Sequence, residues 1–214
     1  MPGNGYCSWG GGRGMVSYGD EKVAGPPRPP GEEEHRICSI RAWAPEDAAD
    51  LAAAISNPNV QKYLRDGLPY PYTEQDAREF IAAMRSAGEA EDFAFAIAAD
   101  GKAVGSISLS RGSNRKRQTA ELGYYLAEPY WGRGLATEAV RQICRYAFDH
   151  SDILRIYAEV FESNAASCRV LEKAGFKLEG RLRCGVVKSD RALNTKLYAP
   201  VREAPLAPSV RIEP

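Results

Sequence analysis

Between Glu121 and Asp149 the chain changes its apolar period from two residues to about 3.6 across a glycine-spaced turn, and this constrains the fold more than any other feature. Leu122, Tyr124 and Leu126 alternate, as one face of a half-buried strand does. The turn Trp131-Gly-Arg-Gly134 follows, and a helix is predicted from Gly134 to Asp149. Such a strand needs a sheet to belong to, and the preceding residues supply it. Phe93, Phe95 and Ile97 alternate, Ile107 and Leu109 alternate, and Gly101 between them marks a hairpin. Downstream come a strand over 154–161, a helix over 164–174 with Gly175 in the place of a left-handed cap, and two closing strands. This order predicts an α/β chain with a mixed sheet.

The first part of the domain reads as a strand over 37–43 and a helix starting at Pro45, with Glu46 and Asp47 at its positive end. A short helix over 60–64 and the loop Leu68-Pro-Tyr70-Pro-Tyr72 come next. Thr73 and Asp76 then make a cap-like start before the stripe Ala77, Phe80, Ile81 and Met84. The folded domain is expected over 36–202. Residues 1–35, rich in Gly and Pro, and the Pro-containing tail 203–214 have too little apolar surface to offset chain entropy and read as flexible extensions.

A chain of 214 residues suits one domain. Lys+Arg and Asp+Glu both number 28, so the basic surplus of a nucleic-acid binder is missing. The run Arg115-Lys-Arg117 reads as a solvated hairpin turn. Five cysteines without a CxxC pair, and only two histidines, argue for reduced thiols and against zinc. No apolar stretch approaches a membrane span, and the N-terminus lacks a secretory h-region. The expectation is a cytoplasmic protein, monomer or homodimer, with no metal.

The turn at Gly132–Gly134 offers chemistry. Glycines let backbone approach a ligand, and a helix start presents unpaired N–H groups with a positive dipole end, a cradle suited to a pyrophosphate. It is neither a P-loop, since no Lys-Ser or Lys-Thr follows, nor a dinucleotide fingerprint, whose third glycine is here Thr137.

Trp131-Gly-Arg-Gly134-Leu-Ala136 resembles the coenzyme A pyrophosphate loop of GNAT acetyltransferases, in the Rim-type branch that acetylates ribosomal-protein N-termini. Asn164-Ala-Ala-Ser167 and Leu171-Glu-Lys173-Ala-Gly175-Phe176 resemble that branch too, as does Leu64 to Tyr72 before the Asp76–Ile81 helix. The likeness covers about 37–202.

The resemblance implies the GNAT fold, a mostly antiparallel mixed sheet flanked by helices with splayed central strands. It implies acetyl-CoA as co-substrate and a primary amine as acceptor, either a peptide N-terminus or a small molecule. Tyr124, Tyr125 and Leu126 would line the pantetheine arm. Gly132, Arg133, Gly134, Leu135, Ala136 and Thr137 would hold the pyrophosphate, and Asn164 would bond the cofactor near its reactive end while also serving as a helix N-cap. An alkyl ammonium must lose a proton before it attacks, and Glu121 is the candidate base. Many family members carry a tyrosine acid seven residues after the asparagine; here that residue is Leu171, and Ser167, or a water it holds, is the candidate acid for the departing thiolate. Tyr70 and Tyr72 are expected to wall the amine's entrance. The alternative is an acetyl-CoA-binding sensor or interaction module without turnover.

Overall fold

The structure, a computed structural model, describes residues 38–86 and 92–200. The expected extension and tail, with Cys7 and His35, lie outside the described residues. In order, the elements are β1 (Ser39–Arg41), α1 (Ala48–Ile55), α2 (Pro58–Gln61), α3 (Glu74–Ser86), β2 (Asp92–Ala99), β3 (Lys102–Arg111), β4 (Thr119–Leu126), α4 (Leu135–His150), β5 (Arg155–Phe161), α5 (Ala165–Lys173), β6 (Phe176–Lys188) and β7 (Arg191–Pro200). The seven strands form one sheet in the order β1-β2-β3-β4-β5-β7-β6, every pair antiparallel except β4 with β5. That pair is parallel because α4 carries the chain back across the sheet between them.

Strict alternation gives each strand two different faces. Phe93, Phe95 and Ile97, with Ile107, Leu109, Leu122, Leu126, Ile156 and Ala158, pack on Leu135, Ala139, Val140 and Ile143 of α4 and on Cys168 and Leu171 of α5. The other face carries a smaller cluster, in which Ala96 and Tyr125 meet Leu51 and Ile55 of α1, Tyr72, and Ala77 and Ile81 of α3. A helix layer thus covers each face, leaving the ends of β4 and β5 between the layers.

Local sequence explains most boundaries. Asn57 caps α2 by accepting the Asn59 N–H at 2.8 Å, so this helix starts at Pro58, two residues before the expected Val60. The anticipated first strand is only three residues long, and Pro45–Asp47 forms a single 3-10 turn before α1. Asp47 is buried, and it is paired: Arg41 grips both carboxylate oxygens at 2.7 Å and the Ala44 N–H donates to one of them at 2.9 Å. Arg115 and Lys116 lie in the 3-10 turn between β3 and β4. Among the described residues no helix is long and apolar enough to cross a membrane.

Gly105 shows how closely β3 presses on the end of β4. A Cβ there would sit 2.2 Å from the Tyr125 carbonyl oxygen and 2.8 Å from a Leu126 methyl. Gly105→Ala should therefore cost about 1–3 kcal/mol, as overpacking does, read as a lower urea midpoint at unchanged m-value. A midpoint equal to that of the parent would show that the strands part without cost.

Candidate active site

Three backbone bonds fix which groups of β4 face which neighbour. Gly112 N–H reaches Thr119 C=O at 2.9 Å, Ala127 N–H reaches Val104 C=O at 2.8 Å, and Arg155 N–H reaches Gln118 C=O at 3.2 Å. Odd-numbered residues of β4 thus bond to β3, and even-numbered ones turn their N–H and C=O toward β5. The β4–β5 pairing, however, covers only Thr119, Ala120 and Glu121. Beyond Glu121 the strands part, and β5 continues paired to β7 on its other edge. The N–H and C=O of Tyr124 and the N–H of Leu126 face this gap. The Leu126 carbonyl faces it too and accepts the Trp131 indole N–H at 2.8 Å.

The gap leads to the start of α4. Gly132 and Gly134 have φ of 74° and 81°, left-handed values that suit glycine. The first α4 bond recorded from this end runs from Glu138 N–H to Gly134 C=O, so the N–H groups of Leu135, Ala136 and Thr137 end the helix without helical partners. Nothing lies within 4 Å of a Cβ built at Gly132, so the turn is open on that side. Arg133, beside them, ion-pairs with Asp100 at 3.3 Å and lies over the Tyr130 ring. On the far side of the gap, Asn164 caps α5 by accepting the Ser167 N–H at 3.1 Å. The Ser167 hydroxyl lies 2.7 Å from the Tyr124 hydroxyl. These groups fit a phosphorylated, thioester-bearing arm: donors at a helix start for the anion, and unpaired main-chain groups for an amide-rich chain.

Alternation puts Glu121 on the opposite face from Tyr124. Tyr157, its register partner on β5, donates a long hydrogen bond of 3.5 Å to its carboxylate. Glu121 keeps contact with solvent, yet the surrounding protein raises its pKa, first by lost hydration and then by the nearby Glu159 charge; Tyr157 and Lys116 oppose the rise. The Glu159 carboxylate accepts the Thr195 hydroxyl. Among the described residues neither Glu121 nor Glu159 has an ion pair, whereas Glu162 and Glu179 each have an arginine.

The expected aromatic wall divides. Tyr70 is 63% exposed, but Tyr72 is only 7% exposed, packs in the smaller core and donates its hydroxyl to the Asp76 carbonyl at 3.2 Å. Leu171 is fully buried in the main core. Sequence reasoning missed the Tyr124–Ser167 pair, which has no signature in spacing because the residues lie 43 apart. It also missed Tyr157 and Glu159, although the alternation of Ile156, Ala158 and Val160 already put them on the other face. Among the described residues no three His, Cys, Asp or Glu side chains group to hold a metal.

Residues 38–177 match the model of the acetyltransferase (GNAT) domain. The chain belongs to the GNAT acetyltransferase family. It is 40% identical over 118 residues to probable N-acetyltransferase YjcK of Bacillus subtilis, covering 54% of this chain and 65%, just under two thirds, of that relative. It is 30% identical over 149 residues to uncharacterized N-acetyltransferase p20 of Bacillus licheniformis, covering 68% and 82%. Its fold is similar to that of the Microcin C7 self-immunity acetyltransferase MccE solved with acetyl-CoA and AMP, with a TM-score of 0.69 at 20% identity over 78% of this chain and 94% of that one. It is similar also to Mycobacterium smegmatis RimJ solved with CoA-disulfide, with a TM-score of 0.68 at 23% identity over 76% and 80%. This GNAT protein is thus an N-acetyltransferase by family, and its mixed seven-stranded sheet flanked by helices is the GNAT fold.

Proposed function

We propose that this protein acetylates a primary amine, a peptide N-terminus or a small molecule, with the donor entering on one face of the parted strands and the amine on the other. The observation that carries this reading is the gap itself, which opens beside Glu121 and has Tyr124 and Ser167 on one side and the unpaired carboxylates on the other. Two carboxylates without ion pairs favour an acceptor that arrives as a cation. The four described cysteines are free thiols, which supports a reducing, cytoplasmic setting.

In this reading the N–H groups of Leu135, Ala136 and Thr137 bind the pyrophosphate, with Gly132, Gly134 and Arg133 shaping the approach. Tyr124, Tyr125 and Leu126 present the edge that pairs with the pantetheine arm, and Asn164 holds its reactive end from across the gap. Glu121 takes the ammonium proton, directly or through a water. The nitrogen then attacks the thioester carbonyl carbon, and Leu126 N–H stabilises the oxyanion. The C–S bond breaks with its electron pair going to sulfur, where the Ser167 hydroxyl receives the thiolate. As the amide forms, the nitrogen gives up its second proton to solvent, the proton Glu121 removed also returns to solvent, and the thiolate draws one from solvent. Tyr70 serves as the exposed wall of the amine's entrance, with Tyr72 fixed behind it.

Two variants test the halves separately. Asp is a good N-cap and tolerates left-handed φ better than most residues, so Gly134→Asp should leave the fold intact while placing a negative charge at the anion site. Acetyl-CoA affinity, by calorimetry, should fall by at least about tenfold; unchanged affinity in a folded variant would remove the pyrophosphate from this loop. Glu121→Gln should lower kcat by about 10²–10⁴-fold and leave acetyl-CoA binding alone. Because the Glu121 pKa is raised, the parent's kcat/KM should fall on the acid side above the usual carboxylate range, and the variant should lose that limb. A parent-like rate between pH 6 and 9 would place the base elsewhere.

A further inference from the structure

Ser167 differs from Ser86 and Ser151 in what its hydroxyl does. Ser86 and Ser151 donate to the carbonyls four residues before them, at 2.8 and 2.6 Å, which is the ordinary fate of such a hydroxyl. The Ser167 hydroxyl makes no such bond, and the cap of α5 is completed by the Asn164 side chain with the Ser167 backbone N–H. Its recorded partner is the phenol of Tyr124, reaching across from β4 at 2.7 Å. The same phenol also lies 3.2 Å from the Ser167 carbonyl. A phenol has one proton, so the two acceptors compete for it. When the proton goes to the carbonyl, the serine hydroxyl donates to the tyrosine and is spent. When it goes to the serine oxygen, the serine proton is left free to point into the gap, which the main chain of Tyr124 itself lines.

We propose that Tyr124 is a positioning residue for the leaving group: its phenol donates to the Ser167 oxygen and thereby turns the Ser167 O–H toward the departing thiolate. This rests on the role given to Ser167 above. The phenol acts as a donor and not as an acid. Burial beside the main core pushes its pKa up, so it stays protonated throughout the working range. A chain of two hydroxyls with its first proton fixed polarises the second, and the bond offered to sulfur strengthens as negative charge arrives there. The new C–N bond forms and the C–S bond breaks as before; the pair supplies a hydrogen bond to the thiolate, whose proton still comes from solvent. Ser167 touches the reacting sulfur, whereas Tyr124 acts only through Ser167.

Single-turnover acetyl transfer with Tyr124→Phe, Ser167→Ala and the double variant tests the pair, alongside affinities of CoA and desulfo-CoA measured against pH. Tyr124→Phe and Ser167→Ala should each slow the chemical step by about tenfold or more, and the double variant should be little slower than either alone, since one interaction is lost in all three. Both single variants should weaken CoA binding on the alkaline side, where the thiolate forms, and leave desulfo-CoA affinity unchanged. Ser167→Thr, which keeps the hydroxyl, should retain most of the rate, and it carries the test of the hydroxyl should either single variant fail to fold. A parent-like rate in Tyr124→Phe with a slow Ser167→Ala would overturn the role of Tyr124 and leave that of Ser167. A parent-like Ser167→Ala would overturn the reading of Ser167 itself. Equal losses of CoA and desulfo-CoA affinity in Tyr124→Phe would mean that the phenol only packs the site, which also overturns the inference.

Discussion

β4 and β5 share a parallel ladder for three residues and then separate, and the rest of the molecule can be understood around that separation. A sheet normally satisfies every inward main-chain group, because an unpaired one away from water is costly. Here β3 satisfies one edge of β4 without a bulge, and β7 satisfies the far edge of β5. What remains is a short stretch of β4 edge with donors and acceptors in place, enclosed by helices and open to a chain that can act as a missing strand. Trp131 fixes its end by bonding the Leu126 carbonyl, and from there the backbone turns through two left-handed glycines into α4.

Strand alternation then separates two chemistries. Even-numbered side chains of β4 point to the α4–α5 layer, which brings Tyr124 to Ser167. Odd-numbered ones point to the opposite face, where Glu121 meets Tyr157 and Glu159. Donor and acceptor can therefore approach from opposite sides and meet only at the gap. The α2 segment and the loop after it are tied to two distant turns. Asn57 and Asn59 bond Glu128, beside the α4 turn, while Lys188 and Ser189 at the β6–β7 turn bond Leu64 and Asp66.

The elements were legible wherever periodicity was strong. The alternating strands, the long α4, the hairpin at Gly101 and the cap at Asn164 are all where the sequence puts them, because burial on one face leaves a period that cannot be mistaken. The glycine turn was legible because left-handed φ demands a particular residue. Boundaries in the first third were less so: Asn57 and Pro58 start α2 through local capping, which apolar spacing does not record. The side-chain partnerships of the site were least legible. Tyr124 reads as one more alternating apolar residue, and only the crossing of β4 by the start of α5 turns it into the partner of Ser167. Tyr72 reads as a loop aromatic, and packing on α3 makes it core.

The proposed chemistry stands on acetyl-CoA binding along the free edge of β4. Amide hydrogen exchange, followed residue by residue by NMR with and without saturating acetyl-CoA, tests it most directly. In the free protein the N–H groups of Tyr124 and Leu126 should exchange quickly while Gly123 and Tyr125, bonded to β3, are protected; acetyl-CoA should slow Tyr124 and Leu126 selectively. Protection of Tyr124 and Leu126 before acetyl-CoA is added, or no change in them once it has bound, would contradict the claim.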